Sequence, residues 1–134
     1  MNVVIPMAGK SSAFKEAGID IPKPFIDIKG KSMVQRAYES IGIEAKYHFV
    51  VLKEHEEKYN ATEHIKKFCK DANVIILQAI TSGPAETLYV SKKHIPKNEP
   101  LIQTNVDQVL NWEPKRFEKF LKQEDPDSAV VTVY

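Results

Sequence analysis

A chain of 134 residues with 43% apolar and 28% charged residues has the composition of one globular domain with an ordinary core, spanning residues 1–134. Lys and Arg number 19 against 18 Asp and Glu, a net charge of +1, and no basic block alternates with aromatics, which argues against a nucleic-acid surface. The single Cys69 excludes an internal disulfide, no apolar run approaches the ~20 residues of a membrane span, and the N-terminus lacks the pattern of a signal peptide, so the expectation is a cytoplasmic protein with no membrane partner.

Asn2-Val3-Val4-Ile5-Pro6 is β-branched and apolar and reads as a buried strand. Met7 to Phe14 follows as a loop of small residues, Ala8, Gly9, Ser11, Ser12 and Ala13 among them. Small residues let backbone approach a ligand, and successive N–H groups can then face phosphate oxygens. Pro22-Lys23-Pro24 holds one ammonium in an extended segment that is barred from helix. Phe25 to Ile28 is a short strand, and Gly30-Lys31 turns the chain. Ser32 with Gln35 forms a capping box for a helix whose inner face is Met33, Val34, Ala37, Tyr38 and Ile41. Tyr47 to Leu52 is the next strand, and Lys53 to Tyr59 is one polar helical turn with a solvated Glu54–Lys58 face. Asn60 with Glu63 offers a second capping box, for a helix through about residue 70 that buries Ala61, Ile65, Phe68 and Cys69.

Asn73 to Gln78 reads as a strand, and Ser82-Gly83-Pro84 opens a helix with Pro in its first turn. Leu101 to Val106 is a strand ending at Asp107. Asn111 to Pro114 leads into a short helix burying Phe117, Phe120 and Leu121, and Ser128 to Tyr134 is a last apolar strand. A chain that ends on such a strand reads as the N-terminal portion of a longer domain. The alternation predicts an α/β fold, a mainly parallel sheet with helices on both faces. Ligands of such sheets bind at the carboxyl ends of the strands, which brings Gly9, Lys23 and Asp107 to one crevice. A carboxylate there suits Mg²⁺, a hard cation that takes oxygen ligands beside phosphates. The four His show no metal-ligand spacing.

Two familiar phosphate motifs fail on residues. Gly9-Lys10-Ser11 resembles the end of a Walker A loop, but that loop needs a Gly where this chain has Val4, and a helix straight after the Lys, whereas this stretch runs into Gly18 and Pro22. The dinucleotide fingerprint needs Gly where the chain has Ser11.

A third pattern fits. Ala8-Gly9, Phe14, Pro22-Lys23-Pro24-Phe25, Ile26-Asp27-Ile28 and Gly30-Lys31-Ser32-Met33 follow in the order of the opening of the sugar nucleotidyltransferases. The chain resembles the N-terminal, nucleotide-binding portion of that family, which makes NDP-sugars. The resemblance implies a Rossmann-like three-layer sandwich, here in truncated form. It also implies transfer of a nucleotidyl group from an NTP to a sugar-1-phosphate, with release of pyrophosphate. By it, Lys23 matches the catalytic Lys that contacts substrate phosphate, and Asp107 matches the Asp that holds Mg²⁺. Ala8, Gly9, Ser11 and Ser12 match the phosphate loop, and Gln78 and Gly83 match the contacts to the nucleobase. The chain departs from the family at two places: the second loop Gly is Ser11, and the loop Arg is Ala13. Three readings stay open on the sequence: the transferase, a non-catalytic nucleotide-binding relative, and a structural or interaction module. The sugar, the base and the oligomeric state, including a homo-oligomer, stay open as well.

Overall fold

Asn2–Pro6 forms strand β1, and every residue in it is buried. Its side chains alternate between two clusters: Val3 and Ile5, with Met7 just beyond, face one, and Val4 faces the other. A central parallel strand is covered on both faces, which is why it reads as a continuous apolar run. After β1 come helix α1 (Ser12–Glu16), a 3-10 turn over Lys23–Phe25, the two-residue strands β2 (Asp27–Ile28) and β3 (Lys31–Ser32), and helix α2 (Met33–Ile41). Strand β4 (Lys46–Leu52), helices α3 (Lys53–Tyr59) and α4 (Ala61–Phe68), strand β5 (Asn73–Leu77), helix α5 (Pro84–Ser91), strand β6 (Leu101–Gln103) and helix α6 (Pro114–Glu124) complete the order. The molecule is described by a computed structural model over residues 1–132.

The main sheet has the order β5-β4-β1-β6, with every pairing parallel. Val34 and Ile41 of α2 and Ala61 and Ile65 of α4 pack on one face with Phe49 and Val51. On the other face Val50, Ile75 and Ile95 pack with Leu77 and with Leu88 of α5. The expected α/β three-layer arrangement is therefore present. The chain runs outward from β1 through β4 to β5, then crosses back over the sheet to place β6 on the far side of β1. The strand order reverses between β1 and β6, and such a switch point opens a crevice at the carboxyl ends. No helix among the described residues is long and apolar enough to cross a membrane.

The amino end of the sheet is closed by polar groups that satisfy one another. Asn73 Nδ2 donates to His48 Nδ1 at 2.9 Å, which leaves the proton on His48 Nε2 to donate to Asn2 Oδ1 at 2.8 Å. Asn2 Nδ2 in turn donates to Glu99 at 2.7 Å. Burial, and secondarily Lys46, holds the His48 pKa below its ordinary value, consistent with a neutral imidazole.

Several elements differ from the expectations. A short helix, α1, does follow the loop after β1, so the Walker A motif fails on Val4 and not on the absence of a helix. Lys23 lies in a 3-10 turn and not in an extended segment. Pro24 is compatible with the first turn of a helix, and Phe25 N–H donates to Pro22 C=O at 2.9 Å to close it. Helix α3 runs seven residues, not one turn. At α2 the capping box is half made: Ser32 Oγ accepts from Gln35 N–H at 3.3 Å, but the Gln35 side chain turns to Glu39. Asn60 does not cap α4 with its side chain, because its backbone is left-handed at φ 48° between two helices. Glu56 takes over, accepting from both Thr62 N–H and Thr62 Oγ1 at 2.8 Å. Strand β6 is three residues long, so Asp107 lies beyond the strand and not at its last residue. Phe120 is 42% exposed, and α6 packs through Phe117 instead. Residues 128–132 form no strand, and Val133 and Tyr134 lie outside the described residues.

Candidate nucleotide site

The loop after β1 is fixed where it leaves the strand. Met7 N–H donates to Val50 C=O at 2.8 Å, and Ala8 C=O accepts from Thr81 N–H at 3.5 Å, tying the loop to the one that follows β5. Beyond these ties the loop turns through Ser11, whose φ of 51° and ψ of 34° lie in the left-handed region. A non-glycine residue is strained there. Ser11 has a compensating contact: its Oγ accepts from Lys23 N–H at 3.3 Å, which binds the loop to the Pro-Lys-Pro segment. Gly9 is different. A Cβ at Gly9 would meet no atom within 4 Å, so no neighbour in the protein requires glycine there. The space it leaves faces the crevice, where a ligand can approach the backbone.

Lys23 is positioned by its neighbours. Pro22 and Pro24 are buried on either side of it. Phe25 stacks on Tyr59 of α3 at 5.5 Å between ring centroids and meets the edges of His55 and His64. The Lys23 ammonium therefore leaves a well-anchored turn and reaches across the crevice to Asp107, with Nζ and Oδ2 2.6 Å apart. The opposite wall is held too. Trp112 Nε1 donates to the Ser40 and Ile41 carbonyls at 3.1 and 3.2 Å, and Leu110 N–H donates to Ser40 Oγ at 3.0 Å. The two Trp112 bonds use free carbonyls at the end of α2, where Gly42 at φ 62° lets the chain leave. A Cβ at Gly42 would sit 2.9 Å from Pro114 Cγ, so α6 approaches this turn as closely as glycine allows.

The crevice is a cavity of about 190 Å³ at the switch point. Ala8, Gly9, Ser11, Lys23, Gly83 and Asp107 line it together, from four separate stretches of the chain. Ser12 and Gln78 do not. Ser12 is exposed in the first turn of α1, and Gln78 is exposed after β5. Asn105, Pro84 and Thr87 are lining residues that the motif reading missed. Asn105 is a polar residue two positions before Asp107, and Pro84 and Thr87 reach the cavity from α5. Glu86 orders the loop before α5 by accepting from Ser82 N–H and Oγ, and those bonds hold its carboxyl below the usual range.

A second cavity, of about 280 Å³, lies on the other side of the same loop and shares Gly9 and Ser11 with the first. Lys10 and Lys15 line it from the loop and α1, and His55, Lys58 and Tyr59 line it from α3. His55 is buried, its Nδ1 has no hydrogen-bond partner among the described residues, and burial pushes its pKa down. The Glu54–Lys58 stretch, expected as a solvated face, therefore contributes to a cavity wall.

Among the described residues no group of three or more His, Cys, Asp or Glu could hold a metal by itself. The first cavity does offer oxygen donors in Asp107 and Asn105. That set fits a Mg²⁺ that arrives with phosphate oxygens and keeps its waters, since Mg²⁺ usually takes only one or two carboxylates from the protein.

No known family model matches the sequence, and no curated protein matches it in sequence. Solved structures match in fold. A nucleoside-diphosphate-sugar pyrophosphorylase from Vibrio cholerae aligns over 78% of this chain and 47% of its own, with 24% identity and a TM-score of 0.66. An inositol-1-phosphate CTP transferase from T. maritima aligns over 96% and 49%, with 17% identity and a TM-score of 0.68. A UDP-glucose pyrophosphorylase, solved with UDP-glucose, aligns over 92% and 54%, with 19% identity and a TM-score of 0.66. The chain has the fold of these nucleotidyltransferase structures and spans about half their length.

Proposed function

We propose that the chain is the nucleotide-binding portion of a sugar nucleotidyltransferase, which passes a nucleotidyl group from an NTP to a sugar-1-phosphate or similar phosphate and releases pyrophosphate. The observation that carries this reading is the Lys23–Asp107 pair, 2.6 Å apart across a switch-point cavity bordered by the Gly9 loop. Phosphoryl transfer asks for little covalent chemistry from a protein. It asks that two anions be held together and that charge be spread in the transition state. Lys23 is the cation for the phosphates, and its anchored turn keeps it from following the ligand into solvent. The Gly9 backbone admits phosphate oxygens at close range. Asp107, with Asn105 beside it, would hold Mg²⁺, which supplies charge neutralisation at the phosphates when bound. Lys23 and Asp107 satisfy each other across the cavity, so phosphates and a cation that use both must take them apart.

A non-catalytic nucleotide-binding role is the second reading. It is favoured by Ala13, an exposed residue of α1 where the family resemblance expects an Arg. Removing one electrostatic partner of a transition state costs on the order of 10²–10³ in rate, by analogy with oxyanion-hole variants.

Nucleotide binding with Mn²⁺ as the probe cation tests the shared part of both readings. Lys23→Ala is expected to weaken NTP affinity by about tenfold or more, the range of a lost charge-assisted bond. Asp107→Asn is expected to abolish the Mn²⁺ effect on relaxation of bound nucleotide. An intact Mn²⁺ effect in Asp107→Asn removes that residue from the metal. A Lys23→Ala chain that binds like wild type removes Lys23 from the site. Pyrophosphate release with NTP and sugar-1-phosphate pairs then separates the transferase from the binding relative.

A further inference from the structure

We propose that His55 is a positioning residue for Lys23: it holds the Phe25 ring, and through that ring the turn that aims the ammonium, and it releases the ring when it takes up a proton. That role presupposes the nucleotide reading above and adds to it a residue of α3 that the family resemblance does not assign.

The first observation is the linkage. Lys23 and Phe25 are the two ends of one 3-10 turn, closed by the bond from Phe25 N–H to Pro22 C=O. A three-residue turn has little slack, so a shift of the Phe25 ring moves the base of the Lys23 side chain. The ring is gripped from two helices. Tyr59 of α3 stacks on it with 12° between the planes. His55 of α3 and His64 of α4 stand at 87° and 80° to it, with centroids 6.0 and 5.6 Å away. His55 also meets Tyr59 edge-on, at 75° and 6.2 Å. Stacked and edge-to-face contacts are the arrangements that aromatic rings prefer, so the cage is a specific one.

The second observation is what a proton does to it. His55 is 8% exposed, and its Nδ1 is sealed from solvent with no hydrogen-bond partner among the described residues. With its proton on Nε2 the ring keeps its seat, and Nδ1 is only an unused acceptor. A second proton makes Nδ1 a buried donor without an acceptor, on a charged ring, which is costly. The groups around it do not offset that cost. Glu54 and Lys58 of α3 are paired with each other at 2.8 Å. Lys10 and Lys15 face the same cavity from the loop and α1, against the single carboxylate of Asp20. Burial accordingly holds the His55 pKa below 6.5, against the pull of Glu54. His64 is placed differently. Its Nε2 lies 2.7 Å from Ser32 Oγ, an oxygen that accepts from a charged ring as well as from a neutral one. Of the two histidines, His55 is the one that must leave its seat on protonation.

The test is calorimetric affinity of the full chain between about pH 5.5 and pH 8, for whichever of ATP, CTP, GTP and UTP wild type binds tightest with Mg²⁺. Each variant is read against wild type at the same pH, which cancels the ionisation of the nucleotide itself. His55→Phe keeps a ring against Phe25 and takes no proton. It is expected to match wild type within about twofold at pH 7.5 and to bind about fivefold tighter at pH 5.5. His55→Ala removes the ring and is expected to bind about fivefold more weakly than wild type at pH 7.5 and equally at pH 5.5. His94→Gln, at an exposed histidine, is expected to track wild type throughout. Without nucleotide, the Lys23 amide and Phe25 ring signals in NMR spectra are expected to titrate with the midpoint of the His55 ring; this readout needs no variant. Nucleotide binding with His55→Phe parallel to wild type at every pH overturns the proposal and leaves the nucleotide site standing. So does His55→Ala with wild-type affinity at pH 7.5, or a Lys23 amide that ignores the His55 titration. Lys23 and Phe25 signals that follow His55 in a chain that binds no nucleotide do the reverse: the linkage stands and the nucleotide reading falls.

Discussion

At the amino end of the sheet, Asn2, His48, Asn73 and Glu99 are polar residues that point at one another, and each bond is 2.9 Å or shorter. At the carboxyl end, Lys10, Lys15, Gly9 and Asn105 border open cavities, and the Lys23 ammonium pairs with the carboxylate across the gap. Both ends hold polar groups on or beside the same strands. Buried polar groups that close a network hold the fold, because any one of them left alone costs free energy. Polar groups set around a cavity are available to something that enters it. The difference separates a structural residue from a functional one without reference to residue type.

Breaking the closed end is expected to have the largest effect on stability. His48→Leu strands the Asn2 Oδ1 acceptor and one Asn73 donor, and at about 1–3 kcal/mol per stranded group the loss is roughly 2–6 kcal/mol. Urea denaturation measures it, and nucleotide affinity of the folded fraction is expected to stay put. Lys23→Ala is the counterpart at the open end. Its ion pair is partly exposed, so removal is expected to cost less than about 1 kcal/mol of stability while nucleotide binding falls. Were Lys23→Ala to cost as much stability as His48→Leu, the distinction between the two ends would collapse.

Acid sharpens the comparison further. His48, His55 and His64 all have pKa values held below 6.5 by burial. The unfolded chain therefore binds protons that the native state refuses. Stability is expected to be full above pH about 6.5 and to fall as pH drops from there toward the folded-state values. A melting temperature that is flat between neutral and mildly alkaline pH and declines below 6.5 is the expected profile. His48→Leu is expected to make the decline shallower by removing one of the three groups.

The smallest expected effect is in the loop. Ser11→Ala keeps the left-handed strain and loses the bond to Lys23 N–H, a cost of about 1 kcal/mol. Ser11→Gly loses the same bond but relieves the strain, and the two changes are expected to cancel to within about 0.5 kcal/mol. A Ser11→Gly chain as unstable as Ser11→Ala would show that position 11 is not strained.

The sequence by itself determined the layers and the place of the first cavity. Continuous apolar runs at β1 and β4 mark strands buried on both faces, and the spacing of Val34, Ala37 and Ile41 marks the inner face of α2. Alternation of strand and helix then forces parallel pairing, which gathers Gly9, Lys23 and Asp107 at one edge. Those signals are local, because periodicity and turn chemistry act over a few residues. Tertiary structure decided the rest. Whether Gln78 faces the cavity or solvent depends on how the loop after β5 meets Ala8, and it faces solvent. The segment that follows Asp107 is tied to the end of α2, about 70 residues earlier, by Leu110 and Trp112. Lys10 and Lys15 belong to no motif that the sequence shows, and α3 reads as a charged solvated turn. They form the walls of one cavity only because the pairing of β1 with β4 delivers α3 beside the loop that follows β1. A charge run in sequence carries no record of what lies opposite it, since a lysine's partners are set by packing across the sheet and not by its neighbours in the chain.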